Sequence, residues 1–127
     1  MHNTLTAWIT LATITIYFWM GMNAARARVK HGIKAPVMDG PIEFMSVHRV
    51  LANTLEQMAV FLPALWMCAV FLGDAWAAAG GALWCVGRVL YALGYYQDPS
   101  RRTLGFTMSF SATILLMLGT AVGILMH

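Results

Sequence analysis

Residues 47–72 read VHRVLANTLEQMAVFLPALWMCAVFL, and two properties of this stretch govern the reading of the whole chain. It is apolar over a length that crosses about 30 Å of hydrocarbon as a helix. Its first half nevertheless carries Arg49, Asn53 and Glu56 at i, i+4 and i+7, a spacing that aligns them along one stripe of that helix. A charged side chain at membrane depth costs at least ~2.5–3.5 kcal/mol on insertion scales, so it persists where it has a partner or a task.

Working outward, three further apolar stretches of spanning length occur at about residues 5–25, 75–96 and 104–126. The chain reads as a single domain, 1–127, and as an all-α integral membrane protein built as a four-transmembrane-helix bundle. Composition agrees, because 60% of residues are hydrophobic and only 10% charged, against roughly a quarter charged in soluble domains. The first stretch also invites a signal-peptide reading. It has no basic segment before it and its cations follow it, which favours a retained span.

Loop charges set the orientation. Arg26, Arg28, Lys30 and Lys34 lie between the first two spans and Arg101 and Arg102 between the last two, whereas the middle connection, Gly73-Asp74, has no base. The positive-inside rule then puts the first and third loops in the cytoplasm and both termini with Asp74 on the other side. Asp39-Gly40-Pro41 and Asp98-Pro99-Ser100 supply turns that start the second and fourth helices. Pro63 predicts a kink or a loosened far half in the second. Gly119 and Gly123, and Gly80-Gly81 in the third span, predict close helix approach within or between subunits.

Several functions are disfavoured by what the chain carries. Cys68 and Cys85 fall inside apolar runs and read as packing residues. No His, Cys or carboxylate spacing matches a metal site, and the net charge of +3 is not arranged as a nucleic-acid stripe.

A second polar stripe lies in the third span, where Arg88, Tyr91 and Tyr95 follow i, i+3 and i+7. At 1.5 Å per residue, Glu56 sits about 14 Å beyond Val47 and Arg88 about 12 Å short of Tyr96, so both occupy the cytoplasmic half. An ion pair of Glu56 with Arg88, Arg49 or both is predicted, within a chain or across a subunit boundary. Such pairs also serve simply to fix helix register. Together with Arg102, however, the set reads as a site for a polar, anionic ligand entering from the cytoplasmic side.

Two segments resemble one family, the membrane-associated proteins in eicosanoid and glutathione metabolism (MAPEG), which includes microsomal glutathione transferases and leukotriene C4 synthase. The first is Gly40-Pro41-Ile42-Glu43-Phe44 with His48-Arg49 and Asn53-Thr54-Leu55-Glu56, similar to the family's R-x-x-x-N-x-x-E motif. The second runs from Gly87-Arg88 through Tyr91, Gly94, Tyr95 and Tyr96 to Arg101-Arg102, similar to its R-x-x-Y-x-x-G-Y stretch and following arginine. The resemblance implies a homotrimer with glutathione as co-substrate bound between neighbouring subunits. Arg49, Asn53, Glu56, Arg88, Tyr91 and Tyr95 would hold it, with Arg28 as the nearest match to a basic residue after the first span. Arg102 would be catalytic, stabilising the thiolate.

The resulting expectation is a microsomal-type glutathione S-transferase joining glutathione to hydrophobic electrophiles from the membrane lipid, or reducing lipid peroxides. The alternative is a noncatalytic lipid-binding scaffold or an accessory subunit of a larger membrane complex. A small four-helix multidrug transporter fits less well, because the first span has no charge before Arg26. The location expected is a bacterial inner membrane with periplasmic termini, or an endomembrane in a eukaryote.

Overall fold

A computed structural model describes residues 2–127. It contains α1 (Thr4–His31), α2 (Ile42–Phe71), α3 (Asp74–Gln97) and α4 (Thr103–Leu125), with a 3-10 turn, Pro99–Arg102, leading into α4. Each of the four is long and apolar enough to span a membrane. The predicted spans fall on these helices, but at the basic end the helices continue beyond the hydrocarbon. Thus α1 runs past Ala25 to His31, with Arg28, Lys30 and His31 in its last turn, where cations suit the negative end of the helix dipole. Gly32 closes it in the left-handed conformation, φ 64°, as Ile33 N–H donates to the Arg28 carbonyl at 3.1 Å.

The opposite end of α1 is capped from another helix. Asn3 makes no side-chain cap and the first turn holds no acid. Instead Asp74, the first residue of α3, accepts hydrogen bonds from Leu5 N–H (3.0 Å), Thr6 N–H (2.8 Å) and Thr6 Oγ1–H (2.7 Å). One carboxylate therefore serves the positive ends of two helices. The bond also requires α1 and α3 to start at the same membrane face, which places the two basic connections together at the other.

Every other helix packs against α3, while α1 and α4 share at most a marginal contact. The main core lies in the half away from the basic end, around Leu65, Leu116 and a Phe61–Trp84 stack with centroids 4.1 Å apart. A smaller cluster of Met20, Val50, Tyr91 and Ala92 lies toward the basic end. Cys68 and Cys85 are both buried and unpaired. Thr10, Thr13, Thr113 and Thr120 donate to the carbonyl four residues earlier, which satisfies hydroxyls that lipid cannot.

Small residues set the α3–α4 distance. A side chain on Gly105 would collide with the Tyr91 backbone and the Gly87 carbonyl. The Gly119/Gly123 pair faces Cys68, Leu72 and the Phe71 backbone, so it mediates contact between α4 and α2 of the same chain. Across Pro63, α2 continues as one helix to Phe71, with the proline on an exposed face.

Replacing the inter-helix cap tests this architecture. Asp74→Ala should lower the melting temperature in detergent, and Asp74→Asn, which keeps one acceptor oxygen, should lower it less. An unchanged Asp74→Ala melt would show that α1 needs no cap from α3.

Candidate functional site

The site begins in the connection between α3 and α4. Asp98 takes an extended conformation that ends α3, and its Oδ1 accepts a hydrogen bond from Ser100 N–H at 3.0 Å. That backbone bond, the Ser100 side chain and the charge of Arg101 hold the Asp98 carboxyl below the usual aspartate range. Pro99 fits the first position of the 3-10 turn, and the turn presents two arginines. Arg101 Nη1 donates to Gln97 Oε1 (2.9 Å), and Arg102 Nη1 donates to the Pro99 carbonyl (2.7 Å). These contacts hold the Arg102 guanidinium 5.7 Å from the centre of the Tyr95 ring.

From Tyr95 the contacts run back to α2. The Tyr95 and Tyr91 rings meet edge to face, centroids 5.6 Å apart. Asn53 Nδ2 donates to the Tyr91 hydroxyl at 2.8 Å, and Arg49 Nη2 donates to Asn53 Oδ1 at 3.4 Å. Arg49, Asn53, Tyr91, Tyr95 and Arg102 thus form one continuous row from α2 to the turn. Arg49 and Arg102 are exposed at its two ends, whereas Tyr91 is buried.

Behind the row lies Arg88, fully buried. Its Nη1 donates to Thr54 Oγ1 at 3.4 Å, and its guanidinium stands 4.3 Å from the Tyr91 ring centre and 5.8 Å from that of Trp84. Two aromatic faces offset part of the cost of burying this cation. Its Nε has no hydrogen-bond partner. Sequence reasoning missed Thr54 and Trp84, although the first adjoins Asn53 and the second lies one turn from Arg88.

The predicted ion pair of Glu56 with Arg88 or Arg49 is not formed within the chain. Among the described residues the one ion pair is His31 with Glu43, at 3.9 Å. Helix geometry explains the difference: Thr54, which faces Arg88, and Glu56 point about 200° apart around α2. Glu56 is consequently exposed on the outer surface of the chain. Arg28 also lies apart from the row. It binds its own loop, donating from Nη1 to the Val37 carbonyl at 2.8 Å, with its guanidinium 5.4 Å from the Phe44 ring centre.

The row offers guanidinium groups for carboxylates at its two exposed ends and, between them, a phenol whose oxygen already accepts a bond from Asn53. Its two guanidinium groups suit an anionic ligand.

Comparison with known proteins gives the family. The sequence profile of the MAPEG family matches residues 6–122. Microsomal glutathione S-transferase 2 of Mus musculus is 31% identical over 122 residues, covering 96% of this chain and 83% of that protein. Leukotriene C4 synthase of Cavia porcellus is 30% identical over 123 residues, covering 97% and 82%. An uncharacterized protein of Synechocystis sp., sll1147, is 41% identical over 119 residues, covering 94% and 87%.

The α2–α3 link at the centre of the row is measurable. A double-mutant cycle of Asn53→Ala and Tyr91→Phe should give a coupling energy of about 0.6–1.7 kcal/mol in thermal or denaturant unfolding. Additive effects would mean that the two side chains do not bond in the folded protein.

Proposed function

Because this chain belongs to the MAPEG family, we propose that it is a membrane-bound glutathione transferase acting on hydrophobic electrophiles. The observation that carries this reading is the row itself, which sets Arg102 against Tyr95 at the basic end with Arg49, Asn53 and Tyr91 continuing beside it. Arg49 would meet a carboxylate of glutathione and Glu56 its ammonium group, charges that face no opposite charge among the described residues, while the buried Arg88 would support the site from behind through Tyr91. In a lone subunit, Arg49 and Glu56 lie exposed on a membrane helix. That is costly in lipid and favours assembly of copies; with the family resemblance it supports a homotrimer, with the ligand between neighbours and Arg28 contributed across the boundary.

Arg102 supplies a fixed cation for the sulfur. A thiol of pKa about 8.5 is only about 3% thiolate at pH 7, so a guanidinium that favours the anion raises the reactive fraction by up to about 30-fold. With a chlorinated nitrobenzene the thiolate sulfur bonds to the ring carbon, chloride leaves, and the thiol proton passes to solvent. Electrophiles dissolved in the bilayer would reach the site from the side of the helices. The basic loops that frame it favour a cytoplasmic opening.

The test is kinetic. Glutathione should raise the melting temperature of the purified protein, and Arg102→Ala should lower kcat by about 10- to 30-fold at pH 7 with little change in glutathione binding. The deficit should shrink as pH rises toward 9, because free glutathione then ionises unaided. A deficit that stays constant with pH would remove Arg102 from thiolate stabilisation. Stabilisation by glutathione without turnover of any electrophile would replace the enzyme with a binding scaffold.

A further inference from the structure

A second polar feature at the basic end belongs to a different face of the bundle. Between the ends of α1, α2 and α3 lies a cleft of about 480 Å³, a volume suited to a small ligand. No residue of the Arg49–Arg102 row lines it. On α1, Asn23, Arg26 and Lys30 follow i, i+3 and i+7 and share one face. Across from them stand Glu43 of α2 and Tyr96 of α3. Tyr96 points about 100° away from Tyr95 around α3, which separates this cleft from the row.

The charges in the cleft do not cancel. Arg26 and Lys30 are exposed and have neither a carboxylate nor a hydrogen-bond partner among the described residues. The carboxylate in the wall, Glu43, is turned toward His31, 3.9 Å away. Asn23 Nδ2 donates to the Tyr96 hydroxyl at 3.3 Å, so the phenol has its own proton left to give. Tyr96 also meets Trp19, ring centroids 6.2 Å apart, the kind of aromatic pair found where headgroups begin. Two cations and a phenolic donor around an open cleft at that level suit an anion with several acceptor oxygens.

We propose that this cleft binds a phosphate group, carried by an anionic lipid headgroup or by a free phosphate compound. The site does not depend on the glutathione reading, and its ligand is held by Arg26, Lys30 and Tyr96.

The full chain in detergent is titrated with short-chain phosphatidylglycerol, short-chain phosphatidylcholine and inorganic phosphate, following intrinsic fluorescence and melting temperature. Phosphatidylglycerol should bind in preference to phosphatidylcholine. The Arg26→Gln/Lys30→Gln double variant should weaken it about tenfold or more, whereas Lys34→Gln, a basic residue of the same loop outside the cleft, should change it little. Circular dichroism checks that the double variant is folded, and its two side chains are exposed. Binding of phosphatidylglycerol alone assigns the site to lipid; equal binding of inorganic phosphate assigns it to free phosphate compounds. The proposal is overturned if neither phosphatidylglycerol nor inorganic phosphate is preferred over the zwitterionic phosphatidylcholine, if the double variant binds like the wild type, or if Lys34→Gln loses as much. Displacement by saturating glutathione would also overturn it, by giving the cleft to the conjugation site.

Discussion

Hydrocarbon offers no hydrogen bonds, so the polar groups that this chain carries between the two membrane faces depend on the protein itself for partners, and few, such as Arg88 Nε, go without. The constraint accounts for features that otherwise look unrelated. Threonine and serine hydroxyls turn back onto their own helices, Asn53 reaches Tyr91, and Arg88 lies between two aromatic faces and a threonine. At the membrane face the same rule makes the Asp74 carboxylate close the first turn of a helix to which it does not belong. Beyond the first turn of α2, Arg49 and Glu56 are the charged groups that one chain leaves exposed, and the proposed assembly and ligand rest on them.

The position of α3 follows from its small residues. Gly87 and Gly105 let α3 and α4 approach until their backbones nearly touch, and Gly81 admits Ile9 and Leu65 from α1 and α2. A central helix that meets all three others gives its polar stripe several neighbours at once. Tyr91 therefore sits within reach of α2, and Tyr95 within reach of the turn that starts α4. Close packing and the polar row are two consequences of one geometry.

Legibility from sequence divided along the same line. The spans, the clustering of basic loops and the two stripes are periodic or compositional, and such features survive without coordinates. The Asp74 cap was invisible because it joins positions remote in sequence, and the α1 N-terminus carries no signal for it. Pairing of Glu56 with Arg88 within the chain failed for a subtler reason. Spacing places Arg49, Asn53 and Glu56 on one stripe of α2, but it does not say which edge of that stripe turns toward α3. Asn53 lies on the inner edge and Glu56 on the outer, so the amide and not the carboxylate makes the contact.

One device appears twice, and its repetition clarifies how polarity is distributed at the basic end. Tyr91 and Tyr96 each accept a bond from an asparagine on a neighbouring helix, Asn53 of α2 and Asn23 of α1. An amide that donates to a phenol oxygen fixes the ring and leaves the phenol proton for another acceptor. Five positions separate the two tyrosines, which turns them about 140° apart around α3. One phenol is thereby committed to the row that ends at Arg102 and the other to the cleft beside Arg26 and Lys30. On the two proposals a single helix end would serve two anions, because the asparagines hold the two phenols toward different neighbours.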